Sequence, residues 1–146
     1  PQGDRACAEL LPALVQSAQT IPAADIPDLV PILAVTAAAC HGAVFTDIGR
    51  LRLKESDRVE SVIAMLKALG GNASADTDTL TVSGTGLRGG TVDSRNDHRI
   101  AMAAAIAATV CREPVTILGA ECVEKSYPGF FEEYRKSGGS YEQYLR

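Results

Sequence analysis

The sequence predicts a mixed α/β (α+β) fold of repeated βαβαββ modules, with about two modules present in 146 residues. Two halves of the chain repeat one order of features: an acidic residue, an alanine-rich helix, a short strand, a lysine, and a helix ending in Gly-Gly. Asp28 corresponds to Asp97 at a separation of 69 residues, and Lys54 to Lys125 at 71. This period is too long for a solenoid unit, so we interpret it as a duplicated supersecondary module.

Residues 1–24, at the start of the first half, give the weakest secondary-structure signal. Residues 6–14 favour a helix, but Pro12 and Pro22 interrupt residues 1–24, which we assign to the same domain as the rest. The acidic residues and proline of segment 25–28 are typical of a helix start. The further elements predicted here are a helix over 29–40, a strand over 43–48, an amphipathic helix over 54–69, a hairpin of 72–75 with 79–83, and a loop over 84–90.

The amphipathic helix carries the most charged stretch at its start. Its apolar residues recur at spacings of three and four, and Gly70-Gly71 ends it. We place Lys54, Glu55, Asp57 and Arg58 in its first turn. The helix dipole disfavours cations there by about 0.3–1 kcal/mol each, so two of them indicate a facing anion. A solvated cluster of mutual ion pairs explains the stretch equally well.

The second half repeats these elements. We predict a strand over 90–94, a helix from Asn96-Asp97-His98-Arg99 to about Val110, a strand over 114–118, and a helix over 127–136. We expect the domain to cover residues 25–146, with repeats at about 25–84 and 90–139. The aromatic residues of the last helix have the spacing of core side chains.

Composition excludes several classes of protein. Apolar residues make up 46% of the chain, which argues against disorder, and a net charge of −4 argues against a nucleic-acid or acidic-membrane surface. The longest mostly apolar run, residues 100–111, has 12 residues, against the roughly 20 that span a bilayer. The four cysteines lack metal-ligand spacing, and three have apolar surroundings typical of small buried side chains in a reducing cytosol. No signal peptide is visible, because the start has no basic segment, and the chain starts without Met, so we expect a fragment or a processed chain.

Packing two modules side by side predicts that their charged residues meet at one end of the domain, beside helix N-termini. Arginine suits carboxylate or phosphate binding, lysine can also shuttle a proton, and carboxylates and histidine suit acid–base chemistry. Structural roles remain open: Asp28 and Asp97 suit helix N-caps, and His98 a helix terminus. The candidate site residues are Asp28, Arg50, Lys54, Glu55, Arg58, Asp97, His98, Arg99 and Lys125.

Four ordered segments resemble one family. Segment 54–58, Lys-Glu-Ser-Asp-Arg, resembles the K-E-[ST]-D-R signature of the 5-enolpyruvylshikimate-3-phosphate (EPSP) synthase family, and segment 96–102 resembles its N-D-H-R-[IM]-A-M block. Segments 25–29 and 123–128 are similar to two further family segments. The likeness covers about residues 25–136. The sibling family, UDP-N-acetylglucosamine enolpyruvyl transferase, shares the fold but lacks this pairing of motifs.

The resemblance implies a cytoplasmic enzyme of the shikimate pathway. It transfers the enolpyruvyl group of phosphoenolpyruvate to the 5-hydroxyl of shikimate 3-phosphate and releases phosphate through a tetrahedral intermediate, without metal or organic cofactor. The family has two inside-out α/β domains of three modules each that close over the substrates. The resemblance therefore implies that this chain is a C-terminal portion carrying about half of a site, whose missing partner is the N-terminal domain.

The resemblance also implies roles for individual residues. Asp28 contacts the shikimate ring as a candidate base, Lys54 binds near it, and Glu55 exchanges a proton with the methylene carbon of phosphoenolpyruvate. Arg58, Arg99 and Lys125 bind the carboxylate and phosphate of phosphoenolpyruvate, and Asp97 and His98 support them. We count Asp28, Glu55, His98 and Lys125 as the candidate catalytic residues. Arg50 stands where some members carry an asparagine that touches the shikimate phosphate.

Two other classes of function are compatible with the sequence. One is a non-catalytic domain that binds phosphorylated metabolites, and the other is a half-enzyme that needs a partner chain. Glu55 and His98 favour an enzyme, because anion binding alone gains nothing from a carboxylate beside its cations. We expect the chain alone to be inactive.

Overall fold

The computed structural model describes residues 2–144 and contains five α-helices and six β-strands in that range. The helices are α1 (Gln2–Gln16), α2 (Val30–Ala39), α3 (Arg58–Ala68), α4 (His98–Ala108) and α5 (Phe130–Lys136). The strands are β1 (Gln19–Pro22), β2 (Ala43–Thr46), β3 (Ala73–Ala75), β4 (Thr79–Val82), β5 (Gly90–Asp93) and β6 (Val115–Leu118). Short 3-10 helices cover Pro27–Leu29, Gly49–Leu53 and Ala120–Lys125.

The strands form two sheets. The first has the order β1-β2-β4-β3, with β1 parallel to β2 and both β2 and β3 antiparallel to β4. The second consists of β5 parallel to β6, in a register that pairs Gly90 with Val115. Residues 19–82 therefore run β-α-β-α-β-β. Residues 90–136 repeat the first four of these elements, so the α/β fold is confirmed.

β1 was missed by the sequence reading. It has four residues and ends in Pro22, which resembles an interruption more than a strand. Proline is tolerated because β1 is at the edge of its sheet, where no further strand needs its missing N–H group. Pro12 lies inside α1 without ending it, so residues 2–16 form one helix rather than a broken one.

The two alanine-rich helices form the centre of the core. α2 packs against α4, and most of their alanines are buried, several of them together with larger side chains from β2, α3 and β4. Small side chains allow the helices to approach closely, and the resulting apolar burial stabilises the fold by about 25 cal/mol per Å². Gly42, which follows α2, has φ +82°, and a Cβ there would lie 2.6 Å from the Val82 carbonyl oxygen. Glycine is therefore required where α2 turns into β2.

The start of α3 corrects one prediction. The helix begins at Arg58, and Asp57 is its N-cap, with Oδ1 accepting hydrogen bonds from the Val59 and Glu60 backbone N–H groups at 3.1 and 3.3 Å. Lys54 and Glu55 therefore lie in the connection before the helix and not in its first turn. The carboxylate of Asp57 satisfies N–H groups that have no partner in the helix, which stabilises this later start.

The last helix is also shorter than predicted. α5 begins at Phe130 because Gly129, with φ +81°, breaks the helical backbone after Pro128. None of the residues of α5 is fully buried; Phe130 and Phe131 are partly buried against a small second cluster formed by Ala101, Cys122 and Val123. The prediction that these aromatic residues belong to the core is thus only partly met.

The cysteines differ in burial. Cys122 is buried, whereas Cys7, Cys40 and Cys111 are partly buried. Within residues 2–144, no helix combines the length and apolar character needed to span a bilayer.

Candidate active site

Three segments meet at the N-terminal ends of α2, α3 and α4. The 3-10 helix before α2 carries Asp28, the connection before α3 carries Lys54 and Glu55, and Asp97 directly precedes α4. Arg58, the first residue of α3, lies at their centre. We call Asp28, Lys54, Glu55, Arg58 and Asp97 the Arg58 cluster.

Arg58 is fully buried and binds three carboxylates. Its Nε donates to Asp97 Oδ2 at 2.9 Å, its Nη1 to Asp28 Oδ1 at 2.7 Å, and its Nη2 to Glu55 Oε2 at 2.6 Å. Nη2 also donates to Asp97 Oδ1 at 3.2 Å, so four of the five N–H groups of the guanidinium are used. Burial alone would lower the pKa of Arg58, but the hydrogen bonds to Asp97 and Asp28 outweigh it and raise the pKa.

Asp97 both caps α4 and holds Arg58. Its side chain is 0% exposed, and Oδ1 accepts from the Arg99 backbone N–H at 3.0 Å while Oδ2 accepts from Ser56 Oγ at 2.8 Å. Burial would raise the pKa of Asp97, but the hydrogen bonds from Arg58 and Ser56 and the charge of Arg58 hold it below its usual range. The N-cap interpretation of Asp97 is thus confirmed, together with a buried ion pair.

Asp28 has a different environment. The N-cap interpretation is wrong for it, because neither its 3-10 helix nor α2 has a side-chain cap. Its side chain is 50% exposed and also lies 3.7 Å from Lys54 Nζ. Burial would raise the pKa of Asp28, but the hydrogen bond from Arg58 and the charges of Lys54, Arg58 and Arg99 lower it.

In the described part of the chain, Arg99 has a buried donor that is unused. Its Nε is buried and has no hydrogen-bond partner among the described residues, although its charge acts on Asp28. A buried N–H group without a partner is costly. Arg99 therefore differs from Arg58, four of whose five N–H groups already donate to carboxylates.

Three predicted site residues make no direct contact with the Arg58 cluster. His98, the first residue of α4, is half-buried, and Lys125 is exposed at the end of its 3-10 helix. Within residues 2–144 neither side chain has a hydrogen bond or ion pair. Arg50 Nη1 donates to the Ala24 carbonyl oxygen at 2.9 Å. That bond connects the 3-10 helix Gly49–Leu53 to the turn before Pro27, and it leaves no sign of an anion site. The expected meeting of Lys125 with Asp28, Lys54 and Asp97 is not seen as a direct contact.

Two serines near Asp97 of the cluster, Ser56 and Ser61, were not among the predicted site residues. Ser61 Oγ lies 2.8 Å from Ser56 Oγ, which donates to Asp97. Ser61 is 1% exposed and lies among the apolar residues of α3. A polar side chain on the buried face of an amphipathic helix is the signal that could have drawn attention to it.

The arrangement suits an anionic substrate and proton transfer. Asp28 and Glu55 are half-exposed carboxylates at the edge of a buried guanidinium, with side chains 50% and 47% exposed. Arg99 adds a donor without a partner. Within the described range no group of three or more His, Cys, Asp or Glu side chains is placed to hold a metal ion. Fold and site thus define an α/β protein of βαβαββ type with a cation–carboxylate cluster where its modules meet.

Comparison with known proteins identifies the family. The sequence model of the family described as EPSP synthase (3-phosphoshikimate 1-carboxyvinyltransferase) matches residues 12–134. The chain belongs to the EPSP synthase family, as the motifs at segments 54–58 and 96–102 predict.

The relatives are considerably longer than this chain. The 3-phosphoshikimate 1-carboxyvinyltransferase of Clostridium kluyveri is 42% identical over 140 residues, which cover 94% of this chain and 33% of the relative. That of Clostridium acetobutylicum is 47% identical over 126 residues, covering 85% and 29%. A solved structure of EPSP synthase from Acinetobacter baumannii has a TM-score of 0.74 at 33% identity and covers 78% of this chain and 28% of that one. The chain spans about a third of the length of the curated relatives it matches.

Proposed function

We propose that the chain forms part of an enzyme that transfers the enolpyruvyl group of phosphoenolpyruvate to the 5-hydroxyl of shikimate 3-phosphate. The observation that carries this proposal is the pair of half-exposed carboxylates, Asp28 and Glu55, on the buried guanidinium of Arg58. Addition to an enol ether needs a proton donor at one carbon and a base at the attacking hydroxyl. Two carboxylates held about one cation supply both groups.

Asp28 accepts the proton of the 5-hydroxyl in this mechanism, and Lys54 binds the same substrate. The pKa of Asp28 is lowered, so the carboxylate is ionised at neutral pH and can accept a hydrogen bond from the hydroxyl. Its pairing with Arg58 and Lys54 also weakens it as a base. Substrate binding that loosens one of these pairs would raise its basicity toward that of an ordinary carboxylate.

Glu55 exchanges a proton with the methylene carbon of phosphoenolpyruvate. It contacts Arg58 through one hydrogen bond at 2.6 Å, whereas Asp97 holds Arg58 through two. The substrate carboxylate therefore displaces Glu55 more easily than Asp97. Displacement leaves the substrate on Arg58 and Glu55 unpaired beside it, where it can act as an acid and a base.

Arg99 and Lys125 complete the cation cage around phosphoenolpyruvate. The buried Nε of Arg99 gains a partner when an anion binds beside Asp28. Lys125 is exposed and reaches the substrate phosphate once that ligand is present. His98 and Asp97 act as supporting residues, and Arg50 contacts the shikimate phosphate if its bond to Ala24 opens.

The chain performs this reaction with a partner, the N-terminal domain of the same enzyme, in the cytoplasm and without nucleic acid, membrane or cofactor. The need for a partner is supported by the length of the relatives, which are about three times longer than the part that this chain matches. In our proposal, residues 25–146 with the preceding segment belong to the C-terminal domain. Held alone, the chain leaves the substrates without near-attack geometry, which accounts for about 7–11 kcal/mol of such a barrier.

The test combines this chain with the complementary two thirds of the Clostridium kluyveri relative, a mixture that we call the reconstituted enzyme. Phosphate release is measured with both substrates. We expect turnover from the reconstituted enzyme and none above a heat-treated control from the chain alone. Glu55→Gln should lower kcat by about 10²–10⁴, because the amide cannot pass a proton. Glu60→Gln, an exposed site on α3, is the matched control and should leave kcat unchanged.

Arg99→Ala and Lys125→Ala should each raise the KM for phosphoenolpyruvate, since each deletes a charge-assisted contact of about 1.5–3 kcal/mol. Unchanged kcat and KM in both variants would remove these residues from the site. Normal turnover in Glu55→Gln would assign the proton to another group.

A second candidate function is binding of phosphorylated metabolites without turnover. The unpartnered Nε of Arg99 favours it, because that N–H group lacks an acceptor that a phosphate oxygen could supply whether or not a reaction follows. Phosphoenolpyruvate binding by the reconstituted enzyme without phosphate release would support this alternative.

A further inference from the structure

A hydrogen-bond chain runs behind the Arg58 cluster. Ser61 Oγ and Ser56 Oγ are 2.8 Å apart, and Ser56 Oγ is 2.8 Å from Asp97 Oδ2. Because the ionised carboxylate can only accept, the Ser56 hydroxyl must donate to Asp97, and its oxygen then accepts from Ser61. The direction of donation, from Ser61 to Ser56 and from Ser56 to Asp97, is therefore fixed by chemistry, and the first bond strengthens the second. Arg58 Nε donates to the same Oδ2 of Asp97.

We propose that Ser56 and Ser61 are positioning residues that act through Asp97 to hold the Arg58 guanidinium in the orientation that receives the substrate carboxylate. The substrate in this statement rests on the function proposed above. Ser56 precedes α3, Ser61 lies one turn inside it, and Asp97 comes from the other module. These hydrogen bonds thus link the N-terminal end of α3 to the N-terminal end of α4.

The geometry explains why Arg58 needs this support. Asp97 takes Nε and one Nη2 N–H of Arg58, so the Nη1 and Nη2 edge points toward the half-exposed Asp28 and Glu55. When a substrate carboxylate replaces Glu55, Asp97 is the buried partner that remains. Ser56 Oγ donates to the same Oδ2 that accepts from Arg58 Nε, and this second bond opposes movement of the oxygen away from Nε.

The first measurement is the hydrogen-exchange rate of the Arg58 Nε–H group, followed by NMR in the 146-residue protein without ligand. In Ser56→Ala hydrogen exchange of this group should be about tenfold faster, because both serine bonds are lost, including the one to Asp97. In Ser61→Ala it should be about threefold faster, because only the Ser61–Ser56 bond is lost. Ser56→Thr keeps the hydroxyl and should exchange within about twofold of wild type. Ser74→Ala, at an exposed serine of β3, is the matched control and should not differ. Wild-type exchange in both alanine variants would overturn the proposal.

The second measurement separates positioning from stability in the reconstituted enzyme. Ser56→Ala should raise the KM for phosphoenolpyruvate about tenfold and change kcat by less than about threefold, with recovery in Ser56→Thr. Ser61→Ala leaves the Ser56–Asp97 bond in place, so it tests the same idea if Ser56→Ala unfolds. An active wild type with an unchanged KM in both alanine variants would overturn this inference alone. An inactive wild type would instead overturn the proposed function, while the exchange rates still decide how Arg58 is held.

Discussion

Asp28 and Asp97 occupy equivalent positions of the two repeats, 69 residues apart, and both bind Arg58. Their environments are nevertheless opposite. Asp97 is fully buried, caps α4 and accepts four hydrogen bonds from protein groups. Asp28 is half-exposed, caps no helix and accepts one hydrogen bond from Arg58.

The difference arises from α3, which belongs to the first module but begins between the N-terminal ends of α2 and α4. Its first residue is Arg58, and it packs against both α2 and α4. Ser56 and the Nε side of Arg58 face Asp97, so that carboxylate is enclosed. Asp28 meets only the outer edge of the guanidinium. The equivalent aspartates of the two repeats therefore differ: Asp97 has a structural role, whereas Asp28 is accessible.

Asp97→Asn should cause the largest loss of stability. Asparagine still caps α4, so the change isolates the charge, and it leaves Arg58 buried without its main partner. Breaking a buried pair in this way costs about 3–5 kcal/mol, measurable as the free energy of unfolding in urea. A loss below about 1 kcal/mol would mean that Asp97 and Asp28 are equivalent.

Asp28→Asn should show the reverse pattern. The free energy of unfolding should fall by less than about 1 kcal/mol, because solvent screens the half-exposed pair. In the reconstituted enzyme kcat should fall by about 100-fold, since the amide cannot accept the hydroxyl proton. Both quantities are compared with wild type in the same buffer. A large stability loss with normal kcat would make Asp28 a structural residue.

Acid should act mainly through Asp97. Both carboxyls have a lowered pKa in the folded state, against about 3.9 in the unfolded chain. Their stabilisation is therefore fully present above about pH 5 and is lost as pH falls through the folded pKa. Urea unfolding between pH 7 and pH 2.5 should show a steep acid loss that Asp97→Asn flattens more than Asp28→Asn. Equal flattening would contradict the comparison.

The two equivalent lysines should show the smallest effect. Lys54 lies 3.7 Å from Asp28, whereas Lys125 has no ion pair among residues 2–144. Lys54→Met should lower the free energy of unfolding by about 0.2–1 kcal/mol, and Lys125→Met should leave it unchanged. Thermal unfolding at low and high salt checks this, because screening should remove the Lys54 effect. A salt-dependent loss in Lys125→Met would reveal a partner for that residue.

Much of the fold could be predicted because its signals are local. The alanine-rich runs, the hairpin and the helix stop at Gly70 depend on neighbouring residues, and α2, α4, β3 and β4 lie where these patterns predict. β1 was missed because four residues ending in proline carry little periodicity. Glu55 was placed in the wrong element because the Asp57 cap competes with an equally plausible earlier start.

The sequence by itself determined the α/β class, the family, and the residue types at the candidate site, because these follow from periodicity and from short motifs. Only the tertiary structure decided which charges touch. The contacts of Arg58 with Asp28 and Asp97 span 30 and 39 residues, and they depend on how α2, α3 and α4 pack. Burial then separates the two aspartates, since a carboxylate enclosed by donors becomes structural and an exposed one can meet a substrate. No local pattern contains that information, because it arises from surfaces that are distant in the chain.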